Sequence, residues 1–182
     1  VHIGFAGYDE DLLARTFISL ASRRPSFLLL TSGTSGDTLA RAVSEAGLSQ
    51  RWMHVGVVPY AELGEILACG DLCLLPYMDR PLNRGRLPNK LADYLASGRP
   101  VVANPTGDLA ELLREGFGIA AAETPEAMAA AAEELLDRPD LQRQMGTRAR
   151  TLAEGRLSWP SLAATVEDLY RTLVEARLSG EV

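Results

Sequence analysis

The sequence predicts an α/β fold: a Rossmann-like, doubly wound parallel sheet of six strands, followed by C-terminal helices. Six short apolar runs alternate with segments in which apolar residues recur every three or four positions. The second run, SFLLLTSG, lacks the polar alternation of a sheet with one wet face, which indicates that both its faces are buried. Strands that alternate with helices in this way pair in parallel, and the helices cover both sides of the sheet.

Each element has a local signal. The first strand, HIGFAG, is an apolar run closed by Gly7, and the helix after it, DEDLLARTFISLASRR, has acids in its first turn. The helix DTLARAVSEAGL ends near Gly47, and Pro59 opens the short helix YAELGEILACG after the strand WMHVGVV. Pro76 ends the fourth strand, DLCLLPY. The remaining pairs are the helix NKLADYLASG with the strand PVVAN, and the helix DLAELLREG with the strand GIAAAE.

From about residue 125 to residue 178 the pattern is helical throughout. Two of the three segments begin with a proline in the first turn, where proline is tolerated. In the last segment, Leu162, Val166, Leu169 and Leu173 form an apolar stripe that we expect to pack on another surface. We therefore expect one Rossmann-like domain over residues 1–182 with a helical tail.

Composition and charge limit the possible functions. The chain has 182 residues, a net charge of -6 and a pI near 5.0, which disfavours a general nucleic-acid-binding surface. No apolar run is long enough to span a membrane, and Cys69 and Cys73, without a histidine nearby, indicate reduced thiols in a cytoplasmic protein and no metal site. The chain opens on a strand without an initiator methionine, so we expect it to be part of a longer protein.

The loop after the fourth strand carries the strongest sign of a binding site. Lys90 is the only lysine among 18 basic residues, and it lies close to Arg84 and Arg86 in the chain. Pro88 is predicted at the first position of a helix, whose free amides and dipole attract an anion. An ammonium on a flexible stem is a common way to bind phosphate. By spacing alone, a solvated basic loop on an acidic protein explains the pattern equally well.

Ligands of open parallel sheets bind at the carboxyl ends of the strands, so the other loops at that edge are candidates as well. We place Gly7 and Gly33 there, together with residues 56–60, which include Val57. The segment SGTSGD, which contains Gly33, lacks the Gly-Lys-Ser/Thr ending of a phosphate-binding loop. A flexible turn therefore explains this segment better than a phosphate cradle, and such a turn can still lie near a ligand.

The segment PNKLADYLASGRPVVAN resembles the nucleotide-sugar-binding half of the retaining GT-B glycosyltransferases, the group 1 enzymes of the glycogen synthase and sucrose synthase superfamily. In that family the segment often reads Pro-x-Lys-x-x-Glu-Tyr-x-Ala-x-Gly-x-Pro-Val-Val-Ala. The matching residues here are Pro88, Lys90, Asp93, Tyr94, Ala96, Gly98, Pro100, Val101, Val102 and Ala103. Residues 54–77 and 106–150 and the closing helix are similar in the same order, so the resemblance covers nearly the whole chain.

The resemblance implies one half of a GT-B fold, a domain that binds a nucleoside-diphosphate sugar as substrate and needs no further cofactor. Lys90 and Arg86 would contact the phosphates, Asp93 the ribose, and residues 56–60 would flank the base. The donor-binding residues predicted in this way are Gly7, Gly33, Val57, Arg84, Arg86, Asn89, Lys90 and Asp93. The acceptor site and part of the catalytic machinery would lie on an N-terminal domain of the same protein, which would also make any peripheral membrane contact. No catalytic residue is assigned with certainty in this half.

Two positions depart from the family pattern and leave alternatives open. The first glutamate of the family's Glu-x7-Glu pair falls on Gly85, and residues 8–11 read Tyr-Asp-Glu-Asp where many relatives have arginine and lysine. We hypothesise that the three cations of the other loop neutralise the diphosphate instead. The alternatives are a sugar-nucleotide epimerase or phosphorylase half-domain, and a degenerate Rossmann module that docks a partner without binding nucleotide.

Overall fold

The computed structural model describes residues 1–4, 9–34 and 36–179, and it confirms the alternation of strands and helices. The strands are β1 (His2–Gly4), β2 (Leu29–Gly33), β3 (Trp52–His54), β4 (Cys73–Leu75), β5 (Val101–Ala103) and β6 (Gly118–Ala120). The helices are α1 (Glu10–Arg23), α2 (Asp37–Glu45), α3 (Tyr60–Ala68), α4 (Pro81–Arg84), α5 (Lys90–Ala96), α6 (Asp108–Leu113), α7 (Pro125–Asp137), α8 (Pro139–Glu154) and α9 (Trp159–Ser179).

The strands are all parallel, but within the described residues they form two three-stranded sheets instead of the predicted single sheet of six. One sheet has the order β1-β2-β3 and the other β4-β5-β6. β1 and β4 are neighbours, because the Leu74 amide donates to the Val1 carbonyl at 2.9 Å. The Val1 amino group donates to the Leu72 carbonyl at 2.7 Å, and Nδ1 of the His2 ring lies 3.0 Å from the Leu74 carbonyl. The strand order across both sheets is β3-β2-β1-β4-β5-β6, and it reverses between β1 and β4.

Alternate residues of the central strands contribute to two apolar cores, one on each face of the strands. Leu74 and Val102 pack in a core that is built mainly by α1, α2 and α7, with Phe17 at its centre. Leu75 lies in the second core, which α3, α5, α6 and α8 build around Tyr94. Because helices cover both faces, the predicted doubly wound arrangement is confirmed.

The helical tail is confirmed as well, but its last helix is not packed on the rest of the described chain. Helix α7 packs on α1, and α8 packs on α5. In α9 every described residue is exposed or half-buried, and the predicted stripe from Leu162 to Leu173 has side chains that are 40–56% exposed. None of the described helices has the length and apolar character that crossing a membrane requires.

The close contact between α8 and the end of α5 requires a glycine at position 146. A Cβ added to this residue would collide with the backbone carbonyl of Gly98, whereas a Cβ on Gly64 of α3 would meet nothing within 4 Å. Gly146→Ala should therefore destabilise the protein by about 1–3 kcal/mol, because the backbone must shift. Gly64→Ala is the control and should stabilise α3 by roughly 0.5–1 kcal/mol. Urea unfolding measures both, and a Gly146→Ala protein as stable as the parent would refute the close packing.

Candidate functional site

The carboxyl ends of β1 and β4 lie side by side where the strand order reverses, the usual ligand position in an open parallel sheet. At this edge Asp9, which directly precedes α1, contacts residues 76–89 after β4, here named the β4 loop. The sequence predicted the β4 loop to be irregular. It contains the short helix α4, which begins at Pro81, a residue well suited to a first helical turn.

Lys90, the first residue of α5, is a half-buried cation at this edge. Burial lowers the pKa of its ammonium from 10.5 to about 8, and the charge of Arg86 acts in the same direction, while Asp9 opposes both. In the described part of the chain, this ammonium has neither a hydrogen-bond partner nor an ion pair. Removing a cation from water without such a partner is unfavourable, so an incoming anion would be stabilised here.

The start of α5 contributes less positive charge than the sequence predicts. The helix begins at Lys90, two residues after Pro88, and Asn89 lies exposed at its N-terminal boundary. The amide of Leu91 donates to the Pro88 carbonyl at 2.9 Å, and the amide of Ala92 donates to the Asn89 carbonyl at 3.0 Å. These two amides are therefore already bonded, and the helix has only seven residues, so its dipole contributes little to the attraction for an anion.

Arg86 is held next to Lys90 by its own loop. Its guanidinium carbon lies 5.7 Å from the centre of the Tyr77 ring, and its Nη2 donates to Oδ1 of Asn83 at 2.9 Å. The Tyr77 hydroxyl in turn donates to the Arg86 carbonyl at 2.8 Å. The structure therefore brings Arg86 and Lys90 together, as the sequence predicted, and shows how the β4 loop orients the arginine.

The acidic residues after β1 do not form an open negative surface. The Asp9 side chain is buried and contacts the β4 loop, and the Glu10 carboxylate accepts the amide of Gly36 at 2.8 Å. Asp11 is exposed and lies 3.6 Å from Arg15. Two of the three acids that made this segment a poor match for a diphosphate are therefore engaged in contacts within the protein.

Arg84 and Arg80 lie differently from what their spacing suggests. Arg84 is exposed and pairs with both carboxylate oxygens of Asp79, its Nη2 at 2.7 Å from Oδ2. Arg80, which the sequence did not single out, lies 3.4 Å from Oδ1 of the buried Asp9. The structure thus places Arg84 in a surface pair, and its predicted phosphate contact stays a prediction.

Asp93 lies in a groove of about 370 Å³ between α3 and α5. The hydroxyl of the exposed Tyr60 donates to its Oδ1 at 3.1 Å. Burial raises the pKa of the Asp93 carboxyl, and the Tyr60 hydrogen bond partly opposes this rise. Val57 is exposed just before α3, so the predicted base-flanking segment and the predicted ribose contact share one side of the site.

The structure places the glycines that the sequence analysis discussed in different surroundings. Gly33 has a φ of 103° and donates its amide to the Gly56 carbonyl at 2.8 Å, which connects the ends of β2 and β3. Gly7 lies outside the described residues. Gly85 is exposed, and a Cβ there would have the Pro81 carbonyl, at 3.7 Å, as its nearest neighbour in the described chain. A Cβ would therefore fit at Gly85.

Sequence reasoning missed Asp9, Asn83 and Arg80 as members of the site. From the sequence, Asp9 counts only as one of the acids after the first strand, Arg80 only as one of four cations between Asp79 and Lys90, and Asn83 only as part of a polar loop. A carboxylate directly before a helix is a common N-cap, and this signal could have drawn attention to Asp9. Its actual partners lie about 70 residues further along the chain, so no local pattern could have named them.

Fold and site together define a Rossmann-like domain with a candidate anion site at its topological switch point. The chain belongs to the glycosyl transferases group 1 family, whose model matches residues 5–138. It is 33% identical over 194 residues to a glycogen synthase from Halorhodospira halophila, a match that covers 96% of this chain and 38% of that enzyme.

Solved structures show the same fold. A sucrose-phosphate synthase from Thermosynechococcus elongatus has a TM-score of 0.78 and 23% identity, over 96% of this chain and 45% of that one. Anabaena HepE, solved in complex with UDP and glucose, has a TM-score of 0.78 and 15% identity, over 94% of this chain and 47% of that one. The chain spans about two fifths of the length of the curated relatives it matches.

Proposed function

We propose that this chain is the donor-binding half of a glycosyltransferase, which transfers a sugar from a nucleoside-diphosphate sugar to an acceptor. Lys90 and Arg86 bind the diphosphate, and Asp93 receives a ribose hydroxyl. The nucleotide base lies beside residues 56–60, and the donor is the substrate, with no further cofactor. Two findings support the proposal: the chain belongs to this family, and a structurally similar protein has been crystallised in complex with UDP and glucose.

One observation carries it: the half-buried ammonium of Lys90, without a hydrogen bond or ion pair in the described chain, beside Arg86 at the carboxyl edge of the strands. A solvated surface lysine would keep its water and an ordinary pKa, whereas burial lowers the pKa of Lys90 to about 8. A diphosphate would supply the missing anion. The alternative of a solvated basic loop is therefore disfavoured for Lys90, although it describes the exposed Arg84 well.

Lys90 and Arg86 can also assist the transfer reaction itself. When the bond between the sugar and the diphosphate breaks, negative charge increases on the leaving phosphate oxygens. Cations that are already positioned at those oxygens stabilise the transition state without reorganising, which is often the largest electrostatic contribution to catalysis. Lys90 and Arg86 take this role in our proposal.

The acceptor domain is the second part of the proposal. Helix α9 leaves an apolar face exposed, with Leu169, Leu173 and Val174 each more than half exposed. An apolar helix face of this size usually packs on another surface. We propose that the N-terminal half of the protein covers it and supplies the acceptor site. A cytoplasmic location, supported by the free thiols of Cys69 and Cys73, completes the proposal.

Calorimetric titration with UDP, GDP and ADP tests the proposal. We expect saturable binding of at least one of these nucleotides, and no sugar transfer by this chain alone when the matching donor and a simple acceptor are added. Absence of binding to all three would overturn the donor-site proposal and favour a module that only docks a partner. Robust transfer by this chain would contradict the need for an acceptor domain.

Product analysis of the longer protein separates the remaining enzyme classes. A glycosyltransferase releases a glycoside and a nucleoside diphosphate. An epimerase would return an isomerised sugar nucleotide, and a phosphorylase would release a sugar phosphate.

A further inference from the structure

Asp9 is a buried carboxylate at a site that we propose to receive a diphosphate. Its side chain is only 3% exposed, and its backbone has a φ of 50°, the left-handed region that few residues other than glycine adopt. It also contributes to the electrostatic surroundings of Lys90 and Tyr77. A negative charge at this place opposes the binding of an anion unless its contacts bring a larger benefit.

The contacts of Asp9 are with the β4 loop. Its Oδ2 accepts the backbone amide of Met78 at 3.3 Å and Nδ2 of Asn83 at 3.1 Å. Its Oδ1 accepts no hydrogen bond in the described chain but lies 3.4 Å from Nη2 of Arg80. Asp9 therefore fastens the start of α1 to the loop that carries the proposed phosphate ligands.

Asn83 extends this connection to the ligands themselves. It is 2% exposed, and its Nδ2 donates to the Met78 carbonyl at 2.8 Å as well as to Asp9. Its Oδ1 accepts Nη2 of Arg86 at 2.9 Å. A continuous path of hydrogen bonds thus runs from the Asp9 carboxylate through Asn83 to the Arg86 guanidinium, four residues before Lys90.

We propose that Asp9 is a positioning residue for the donor site: through Met78 and Asn83 it fixes the β4 loop in the shape that presents Arg86 and Lys90 to the diphosphate. Arg80 offsets the charge of Asp9, so that the carboxylate holds the loop without repelling the ligand strongly. This inference rests on the proposed donor-binding function.

A positioning role and a purely electrostatic role for Asp9 predict opposite changes in nucleotide affinity when its side chain is removed. If Asp9 acted only through its charge, removing that charge would strengthen the binding of a diphosphate. If Asp9 positions the loop, removing its side chain weakens binding, although the site becomes more positive. The sign of the change in affinity therefore decides between the two.

Two substitutions of Asp9 separate the loss of its hydrogen bonds to the β4 loop from the loss of its charge, and neither strains the backbone. Glycine and asparagine both tolerate a φ of 50°. Asp9→Gly removes the side chain, and we expect UDP to bind at least about tenfold more weakly. Asp9→Asn removes the charge but keeps an oxygen that accepts from Asn83, and we expect affinity within about threefold of the parent, or tighter. Asp11→Asn is the control, because it removes an exposed acid of the same turn that has no contact with the β4 loop in the described chain.

Calorimetry with UDP, GDP and ADP measures all variants, and circular dichroism melting checks their folding. Asn83→Ala should reproduce the loss of nucleotide affinity, and the double variant with Asp9→Gly should lose little more affinity, because both changes break the same path of hydrogen bonds.

Should Asp9→Gly fail to fold, Asn83→Ala decides alone, and parent-like affinity in that variant overturns the inference. If the parent binds nucleotide and Asp9→Gly binds as well or better, the inference is wrong while the proposed function stands. If the parent binds none of the three nucleotides, the proposed function fails, and this inference fails with it.

Discussion

Replacing Lys90 with methionine should weaken the binding of UDP or GDP by about 10- to 150-fold. A hydrogen bond to a charged group contributes about 1.5–3 kcal/mol, and each 1.4 kcal/mol corresponds to about a tenfold change in affinity. Methionine fills a similar volume without the charge, so the loss reports the missing ammonium and not an empty space. Calorimetric titration of the parent and the variant measures the effect.

A matched control and a stability measurement make this result specific. Arg114→Met removes an exposed cation that pairs with Glu111 at the far end of α6, and nucleotide affinity should change less than about twofold.

Lys90→Met should not destabilise the fold, because burying the Lys90 charge costs the parent about 3 kcal/mol of folding free energy, as its pKa falls from 10.5 to about 8. This cost is fully present below pH 8 and disappears as the pH rises toward 10.5. Unchanged affinity in Lys90→Met would refute the phosphate assignment.

The affinity for a nucleoside diphosphate should fall about tenfold between pH 7 and pH 9. The Lys90 ammonium has a pKa of about 8 in the free protein, so at pH 9 most molecules carry the neutral amine. A bound diphosphate favours the charged form and raises this pKa, so binding above pH 8 takes up a proton. The terminal phosphate of the ligand titrates near pH 6, so the change at higher pH belongs to the protein.

Calorimetry in two buffers with different heats of ionisation measures this proton uptake directly. The uptake should be close to zero at pH 7 and should approach one proton near pH 9. It should be absent in Lys90→Met, whose affinity should stay nearly constant over the same range. An equal pH dependence in the parent and the variant would show that another group titrates.

Much of the fold could be predicted because its signals are local. The runs around Leu74 and Val102 are apolar on both faces, and the structure buries both residues completely. The contacts between β1 and β4 could not be predicted, because they join Val1 and His2 to residues about 70 positions further along the chain. The start of α5 was misplaced by two residues, since a proline is compatible with a first helical turn but does not fix where its hydrogen bonds begin.

The candidate site was predictable where composition was informative. Lys90 stands out as the only lysine in the chain, and its neighbour Arg86 follows from spacing. The distinction between Arg80 and Arg84 was not predictable, because both are arginines of one polar loop. Only the tertiary positions of two aspartates separate them: Asp79 pairs with Arg84 at the surface, and the buried Asp9 pairs with Arg80.

Because the chain contains a single lysine, its ammonium can be observed alone by NMR of the protein labelled with isotopes in lysine. Titration of this one side-chain signal with pH, in the absence and presence of saturating UDP, GDP or ADP, shows whether the Lys90 ammonium is buried and whether it binds the diphosphate. We expect a midpoint near pH 8 in the free protein, because burial lowers the pKa to about 8, and a clearly higher midpoint when nucleotide is bound. A free-protein midpoint near the ordinary value of about 10.4, unchanged by every nucleotide, would contradict this expectation.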